Sequence, residues 1–421
     1  MKQNYRKYRL ENGLVVALQD TSTQTVSTKL IVNQGSSHEK EGEEGLAHFL
    51  EHCLVTGGSQ KYDPISADKI NGSFGYSNAF TNIGRTFFEG QMLAEDLGKW
   101  LEYISEHIFR PRFDLERVNS ERMRVLREIS DSKSSPTHLD SQEYNAVFYR
   151  GHPKGRFSLG KEEVVRSADI NKIGEFYSRG FHPNNMDLLI VGGLPENIEE
   201  FVKRYFGDAP NGENTRKIFP EIKPLQGKTI IHRPALYRYN YDNPEESSAQ
   251  LILASTCPAE SHPDEYAFRT MSCILGVDTS SFLFQNMSLK KGLAYSVDTS
   301  YDGSYNCGEW NAKANVPANR INESIDALFE EIERIKAQPV PEEIVERVKR
   351  KVRYNIAKTF ESNEGRIPVI ERNLDTGLTP ESFTEGFNGV TPKKILEAAN
   401  KYLPNKTAGN YILYIGDPLK K

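Results

Sequence analysis

Long apolar runs are missing from this 421-residue chain. None approaches the roughly 20 residues that a helix needs to cross a bilayer, so no membrane span is expected. Charge of one sign is also scarce. The 53 Lys and Arg stand against 58 Asp and Glu, a formal net charge of −5. That balance gives no electrostatic footprint for nucleic acid or for an anionic membrane surface. Cysteine is sparse and scattered: Cys53, Cys257, Cys273 and Cys307, with no C-x-x-C pair. The pattern argues against a disulfide framework and fits free thiols in a reducing compartment. The opening MKQNYRKYRLENGLVVALQD is basic and polar at first, but no apolar segment of a secretory signal follows. A cytoplasmic location is the expectation.

What is present suits a soluble globular protein, with 37% hydrophobic and 26% charged residues. The length suggests about two domains. Near the start, YRLENGLVVALQD carries an Asn12-Gly13 hairpin signal between strand-like runs, and VSTKLIVNQG reads as a further strand. ISADKINGSFG reads as a short helix ending at Gly72, and YSNAFTNIGRTFFEG has the β-branched and aromatic residues of strands. From Ala94 to Asp131 the pattern is helical, broken at RPRFD, where Pro111 stops one helix and Asp114 can cap the next. At 209–228 the composition shifts to three prolines, two glycines and many charges, which reads as a linker. Beyond it the order of strands and helices recurs. EGEEGLAHFLEHCL (41–54) aligns without gaps with HPDEYAFRTMSCIL (262–275), at matching points of two near-equal halves. This suggests a duplicated domain. Under that alignment His48 faces Arg269, Glu51 faces Ser272 and His52 faces Cys273.

The stretch GLAHFLEHCL (45–54) holds two of the nine histidines. On a helix His48, Glu51 and His52 share one face, while Leu46, Phe49 and Leu50 take the other. Two imidazoles one turn apart can bind one cation, and a glutamate between them can sit beside a water that the metal activates. The H-x-x-E-H order is the inverzincin signature. The alternative is an amphipathic helix with two surface histidines. A catalytic zinc wants three protein ligands and an open position, so a third ligand must come from elsewhere. In SERMRVLREISD, Glu121 and Glu128 lie two turns apart on one helix face. Alone, such a pair reads as a solvated surface.

Several segments together resemble the pitrilysin-type metallopeptidases, the group of insulin-degrading enzyme and mitochondrial processing peptidase. GLAHFLEHCLVTGG is similar to their GLAHFLEHMLFKGT, SNAFTNIGRTFF to their NAxTxxxxTxY segment, and SERMRVLREI to their ERxxVLxEI. FHPNNMDLLIVGG and LFQNMSLKKGLAYSV also have family counterparts, so the resemblance spans nearly the whole chain. It is nearest to the short-chain bacterial and processing-peptidase-like subunits. It implies that His48, His52 and Glu128 hold Zn²⁺, that Glu51 is the catalytic proton carrier, and that Glu121 orients a ligand imidazole. The spacing 128 − 52 = 76 matches the family interval of 70–80 residues. The implied fold is α+β: two homologous domains, 1–212 and 229–421 around the linker 213–228. Each is a mixed, mostly antiparallel sheet with helices packed on one face, and only the first carries metal ligands.

The resemblance also implies that the strand YSNAFT (76–81) binds an extended peptide substrate as an added strand, through the main chain around Asn78 and Ala79. The family's second half normally supplies an Arg and a Tyr, seven apart. Tyr295 matches the Tyr, but the Arg position is Ser288, and a second family arginine is Phe282. Lys290 and Lys291 lie close by but lack the planar fork of arginine. A chain that keeps its metal site and lacks this arginine fits a heterodimer, in which a homologous subunit supplies the Arg/Tyr pair across an enclosed chamber. A homodimer is the alternative assembly. The implied function is zinc-dependent endopeptidase action on peptides or unfolded segments. The alternative function is a non-catalytic structural subunit of a larger complex. A dedicated maturation peptidase and a general peptide scavenger share these residues and differ in chamber shape.

Overall fold

The computed structural model describes residues 5–420; the first four residues, where the reading of an absent secretory signal begins, lie outside the described residues. The first half runs β1 (Tyr5–Arg9), β2 (Val15–Asp20), β3 (Thr25–Val32), α1 (Leu46–Thr56), α2 (Pro64–Asn71), β4 (Tyr76–Thr81), β5 (Thr86–Leu93), α3 (Leu97–Phe109), α4 (Leu115–Ser134), α5 (Pro136–Phe148), α6 (Glu162–Ser167), α7 (Ile170–Gly180), β6 (Met186–Gly192) and α8 (Ile198–Phe206). An irregular stretch, 210–227, follows. Then come β7 (Lys228–Pro234), β8 (Ser248–Thr256), α9 (Glu265–Gly276), β9 (Val297–Asp302), β10 (Glu309–Pro317), α10 (Ile321–Ala337), α11 (Glu342–Thr359), α12 (Asn363–Thr376), α13 (Pro380–Asn388), α14 (Pro392–Tyr402) and β11 (Tyr411–Asp417). The fold is α+β, with two sheets and helices packed on them.

The first compact unit comprises the chain up to Lys133, Arg156–Ile218 and Ala357–Pro380. Its six-stranded sheet has the order β1-β2-β6-β3-β5-β4, with only the β2–β6 pair parallel. The Asn12-Gly13 turn joins β1 to β2, with Gly13 at φ 91°. One face of the sheet, including Leu18, Leu30 and Leu188, packs on Phe49 of α1, Trp100 and Ile104 of α3 and Phe176 of α7. The opposite face was expected to be free of helices. Instead Ala17, Ile31, Phe87, Leu189 and Val191 pack against Ile367 and Ile370 of α12. Burial on both faces explains why β6, MDLLIVG, carries the apolar run Leu188–Val191 and is buried at every position. Arg85 from the sheet clamps α12 through Glu371 and Asp375, and Lys29 adds a bond to Glu371. At the other edge, β4 alternates exposed and half-buried residues, as expected of a strand with one neighbour.

The second unit comprises Ser134–Gly155, Phe219–Ile356 and the chain from Glu381. Its sheet has the order β7-β11-β8-β10-β9, again with one parallel pair, β7–β11. One face packs on Phe268 and Met271 of α9, Leu328 and Ile332 of α10 and Ile395 of α14. The other, with Ile252, Ala254 and Ile412, packs on Tyr144 and Phe148 of α5. Asp140 of α5 is pinned there by Arg238, Tyr237 and Tyr414. So α5, from the first half of the sequence, lies in the second unit, and α12, from the second half, lies in the first.

Candidate metal centre and peptide cleft

The helix α1 begins at an unusual backbone position. Gly45 adopts φ 103°, a left-handed conformation that disfavours any side chain, and a Cβ there would also meet the Leu159 carbonyl at 2.8 Å. The free N–H groups of the first turn are met from outside the helix. Glu39 Oε1 accepts from Gly45 N at 3.0 Å and from Ala47 N at 2.9 Å. Leu46, Phe49, Leu50 and Leu54 bury the opposite face, which fixes the roll of the helix. His48, Glu51 and His52 are thereby turned to one side together, facing α4 and β4.

On α4 the apolar positions Val118, Val125, Leu126 and Ile129 face the core, and Glu121 is buried among them. The Oδ1 of Asp114 accepts from Arg117 N at 3.1 Å and caps this helix. Glu128, two turns after Glu121, reaches the histidines. His48 Nε2 and His52 Nε2 lie 3.2 Å apart, and Glu128 Oε2 is 3.6 Å from the first and 3.7 Å from the second. These three atoms form the one group among the described residues whose geometry could hold a metal ion.

The donor set fits zinc on the structure's own terms. A tetrahedral ion with bonds of about 2.0–2.1 Å separates its ligands by about 3.4 Å, close to all three observed distances. His52 Nδ1 lies 2.9 Å from Glu121 Oε2; a carboxylate only accepts, so Nδ1 carries the proton and Nε2 presents its lone pair. Burial, aided by the neighbouring His52, lowers the His48 pKa to about 4, so His48 is neutral near pH 7, the form that ligates. Burial works against charge on His52, but the Glu121 hydrogen bond and the surrounding carboxylates outweigh it and raise its pKa. Burial likewise opposes ionisation of Glu121, yet His52 and Arg124 hold its carboxyl below the usual range. Arg124 Nη1 donates to both Glu121 oxygens at 3.0 and 3.1 Å.

Glu51 is 5% exposed. Burial pushes its carboxyl up to about 7, against a hydrogen bond from Thr81 Oγ1 to Glu51 Oε2 at 2.7 Å. The same cavity, of about 410 Å³, is lined by His48, Glu51, His52 and Glu128 and by Asn78, Ala79 and Thr81 of β4. β4 pairs with β5 on one side only among the described residues, so its outer edge offers main-chain donors and acceptors beside the metal group. Tyr295 belongs to the second unit, where it is 95% exposed, and is not among the residues lining this cavity. Three residues that shape the site escape sequence reasoning: Thr81, Arg124 and Glu39. Arg124 had a signal, its position three residues after Glu121. The other two act across loops.

Residues 14–161 match the family model described as Insulinase (Peptidase family M16), and residues 167–352 match the Peptidase M16 inactive domain. The chain belongs to peptidase family M16. An uncharacterized zinc protease of Rickettsia bellii is 26% identical over 95% of both chains. The mitochondrial-processing peptidase subunit beta of Saccharomyces cerevisiae is 24% identical over 95% of this chain and 89% of its own. The cytochrome b-c1 complex subunit 1 of Caenorhabditis elegans is 24% identical over 63% of this chain and 55% of its own. A crystal structure of a protease from Helicobacter pylori shares the fold, with a TM-score of 0.84, 20% identity and coverage of 98% and 99% of the two chains. The inactive-domain match covers α9, where this M16 chain has Arg269, Ser272 and Cys273 at the positions aligned with His48, Glu51 and His52. No helix among the described residues is long and apolar enough to cross a membrane.

Proposed function

We propose that this M16 chain is a zinc-dependent endopeptidase acting on peptides and unfolded segments. The observation that carries the reading is the convergence of His48 Nε2, His52 Nε2 and Glu128 Oε2 beside a buried glutamate, in a cavity bounded by an open strand edge. Zinc held by these three atoms would supply Lewis acidity to the scissile carbonyl and to the attacking water. The chain's own residues do the rest. An extended peptide adds to β4 and is positioned by main-chain bonds around Asn78 and Ala79, which need no particular side chain. Glu51 Oε2 is held by Thr81, leaving Oε1 to take the water's proton and pass it to the leaving amine. Glu121 fixes the His52 ring and its tautomer, and Arg124 keeps Glu121 ionised.

The working enzyme on this reading is a dimer, with the zinc-bearing chain paired to a homologous subunit that supplies the Arg/Tyr pair. Ser288 in place of the resembled arginine favours a heterodimer over a homodimer. Unpaired cysteines at all four positions are consistent with a cytoplasmic setting. The similarity to a cytochrome b-c1 subunit supports a second reading, a structural subunit without activity. Hydrolysis of a quenched, unstructured peptide by the zinc-loaded chain, alone and in its native complex, separates the two. Cleavage that disappears in Glu51→Gln supports the peptidase. Zinc bound without cleavage in either state overturns it. Native mass measurement decides the assembly, and full activity from a self-associated chain would sink the heterodimer.

A further inference from the structure

A second cavity lies outside the metal cleft and shares none of its lining residues. It measures about 270 Å³ and is bounded by Gln34 and His38 ahead of α1, by Arg179 of α7, and by Thr215 and Lys217 of the irregular stretch 210–227. All five belong to the first unit. Gln34 and His38 are committed to the fold. Gln34 Nε2 donates to the Phe176 carbonyl at 2.8 Å, and His38 Nε2 lies 2.8 Å from the Thr215 carbonyl, so it carries the proton there. Burial lowers the His38 pKa and keeps that ring neutral.

The cations keep donors to spare. Lys217 Nζ donates to the Ser37 carbonyl at 2.6 Å, which uses one of its three protons. Arg179 Nη2 donates to Glu43 Oε2 at 2.6 Å, and the guanidinium lies over the Phe176 ring at 4.9 Å. Its place is thereby fixed, while Nε and Nη1 have no acceptor among the described residues. Arg156 adds a third charge and ends on the Glu39 carbonyl at 3.3 Å. Among the described residues Glu43 is the one carboxylate paired with any of the three. Glu39 does not balance them near pH 7, because burial pushes its carboxyl up to about 8. Burial, with Arg156 and Arg179, holds the Lys217 pKa below the usual lysine range. Three cations against one carboxylate leave two positive charges unmatched.

We propose that this cavity binds a phosphate group, as free phosphate or as a phosphate monoester, between Arg179 and Lys217. A dianion matches both unmatched charges, whereas a carboxylate matches one. The guanidinium offers a planar pair of donors to two phosphate oxygens, and the ammonium offers a point charge. Binding restores the charge on Lys217 that its surroundings oppose. The assignment is independent of the peptidase reading.

The test is calorimetric titration of the full chain, zinc-loaded and zinc-free, with inorganic phosphate, glycerol 3-phosphate and acetate. Phosphate should bind both forms, at least about tenfold more tightly than acetate. Lys217→Met, a change at an exposed residue, should weaken phosphate about 10–100-fold and leave peptide hydrolysis unchanged. Phosphate should also protect the Lys217 amine from reductive methylation, read by mass mapping. Equal affinity for the two phosphates assigns the site to the bare group; tighter glycerol 3-phosphate assigns it to a monoester. No binding to the zinc-free chain places phosphate on the metal and overturns the proposal. So does binding that Lys217→Met leaves intact, with the amine unprotected, and so does acetate that binds as tightly as phosphate.

Discussion

The two units set the same helix against the same kind of sheet, yet the polar faces of α1 and α9 are organised in opposite ways. On α9 two of the three aligned residues, Arg269 and Ser272, have partners within the unit. Arg269 pairs with Glu265 at 2.8 Å and Glu260 at 3.3 Å and lies over the Tyr301 ring at 4.5 Å. Ser272 Oγ accepts from Trp310 Nε1 at 3.0 Å and donates to Thr299 Oγ1 at 3.3 Å. Cys273 is half-buried and unpaired. On α1 two imidazole nitrogens and a carboxylate oxygen converge instead within 3.7 Å of one another. A polar set closed on itself contributes to the fold. A set of convergent nitrogen and oxygen atoms is one that a cation can close. The comparison separates a polar set that is closed within its unit from one with the geometry to take a metal ion.

The most severe way to break the comparison is to move a residue from one unit to the other. His48→Arg places the α9 residue on α1. A guanidinium cannot ligate, and its charge repels the ion, so bound metal and hydrolysis should both be lost while the fold survives, as metal analysis and circular dichroism would show. The reciprocal change Arg269→Met should leave metal content and kcat unchanged. It should lower Tm instead, by up to about 3 kcal/mol of stability, because Glu265 is fully buried and loses an ion-pair partner. Loss of metal in the second variant would show that the units do not act separately.

Next in size is Glu51→Gln. The amide fills the same space but cannot take a proton, so kcat should fall by about 10²–10⁴-fold with metal content unchanged. A parallel loss of metal would make Glu51 a ligand rather than the base. Glu121→Gln should act more mildly. It keeps a bond to His52 Nδ1 but removes the negative charge that makes the ring a better donor to metal. Metal affinity should drop about 10–100-fold by competition with a chelating dye, and excess zinc should restore kcat.

Much of this site was legible because helical periodicity is short-ranged. His48, Glu51 and His52 fall on one face of any helix through 46–56, and Glu121 and Glu128 on one face of any helix through 115–134. The turn at Asn12-Gly13, the end of α2 at Gly72 and the cap at Asp114 were legible for the same reason, since each is set within four residues. Placing Glu128 with the histidines needed family resemblance, because no local rule brings residue 128 to residue 48. What stayed hidden was the placement of α5 and α12. The buried residues of α12 are Asn363, Ile367 and Ile370, with Pro368 inside the helix, where proline normally ends one. Nothing within that segment names a sheet more than 150 residues earlier as its partner.

The finest distinction between the units concerns a threonine on each edge hairpin. Thr299 of β9 donates to the Ser272 carbonyl, a neutral bond that does nothing beyond packing. Thr81 of β4 donates to Glu51 Oε2, a group that must ionise to act. A donor to a carboxylate favours the charged form, so Thr81 lowers the Glu51 pKa while burial raises it. The base is active when deprotonated, so activity should rise with pH through the Glu51 pKa. Burial puts that pKa at about 7, and a cation held by the neighbouring residues would draw it down. Thr81→Val keeps the shape and removes the donor. A bond to a charged group contributes about 1.5 kcal/mol, so the acid limb of kcat/KM should move up by about one pH unit. The rate at high pH, where Glu51 is ionised either way, should change little. An acid limb that stays in place would assign it to a group other than Glu51, and would reduce Thr81 to the packing role that Thr299 has in the second unit.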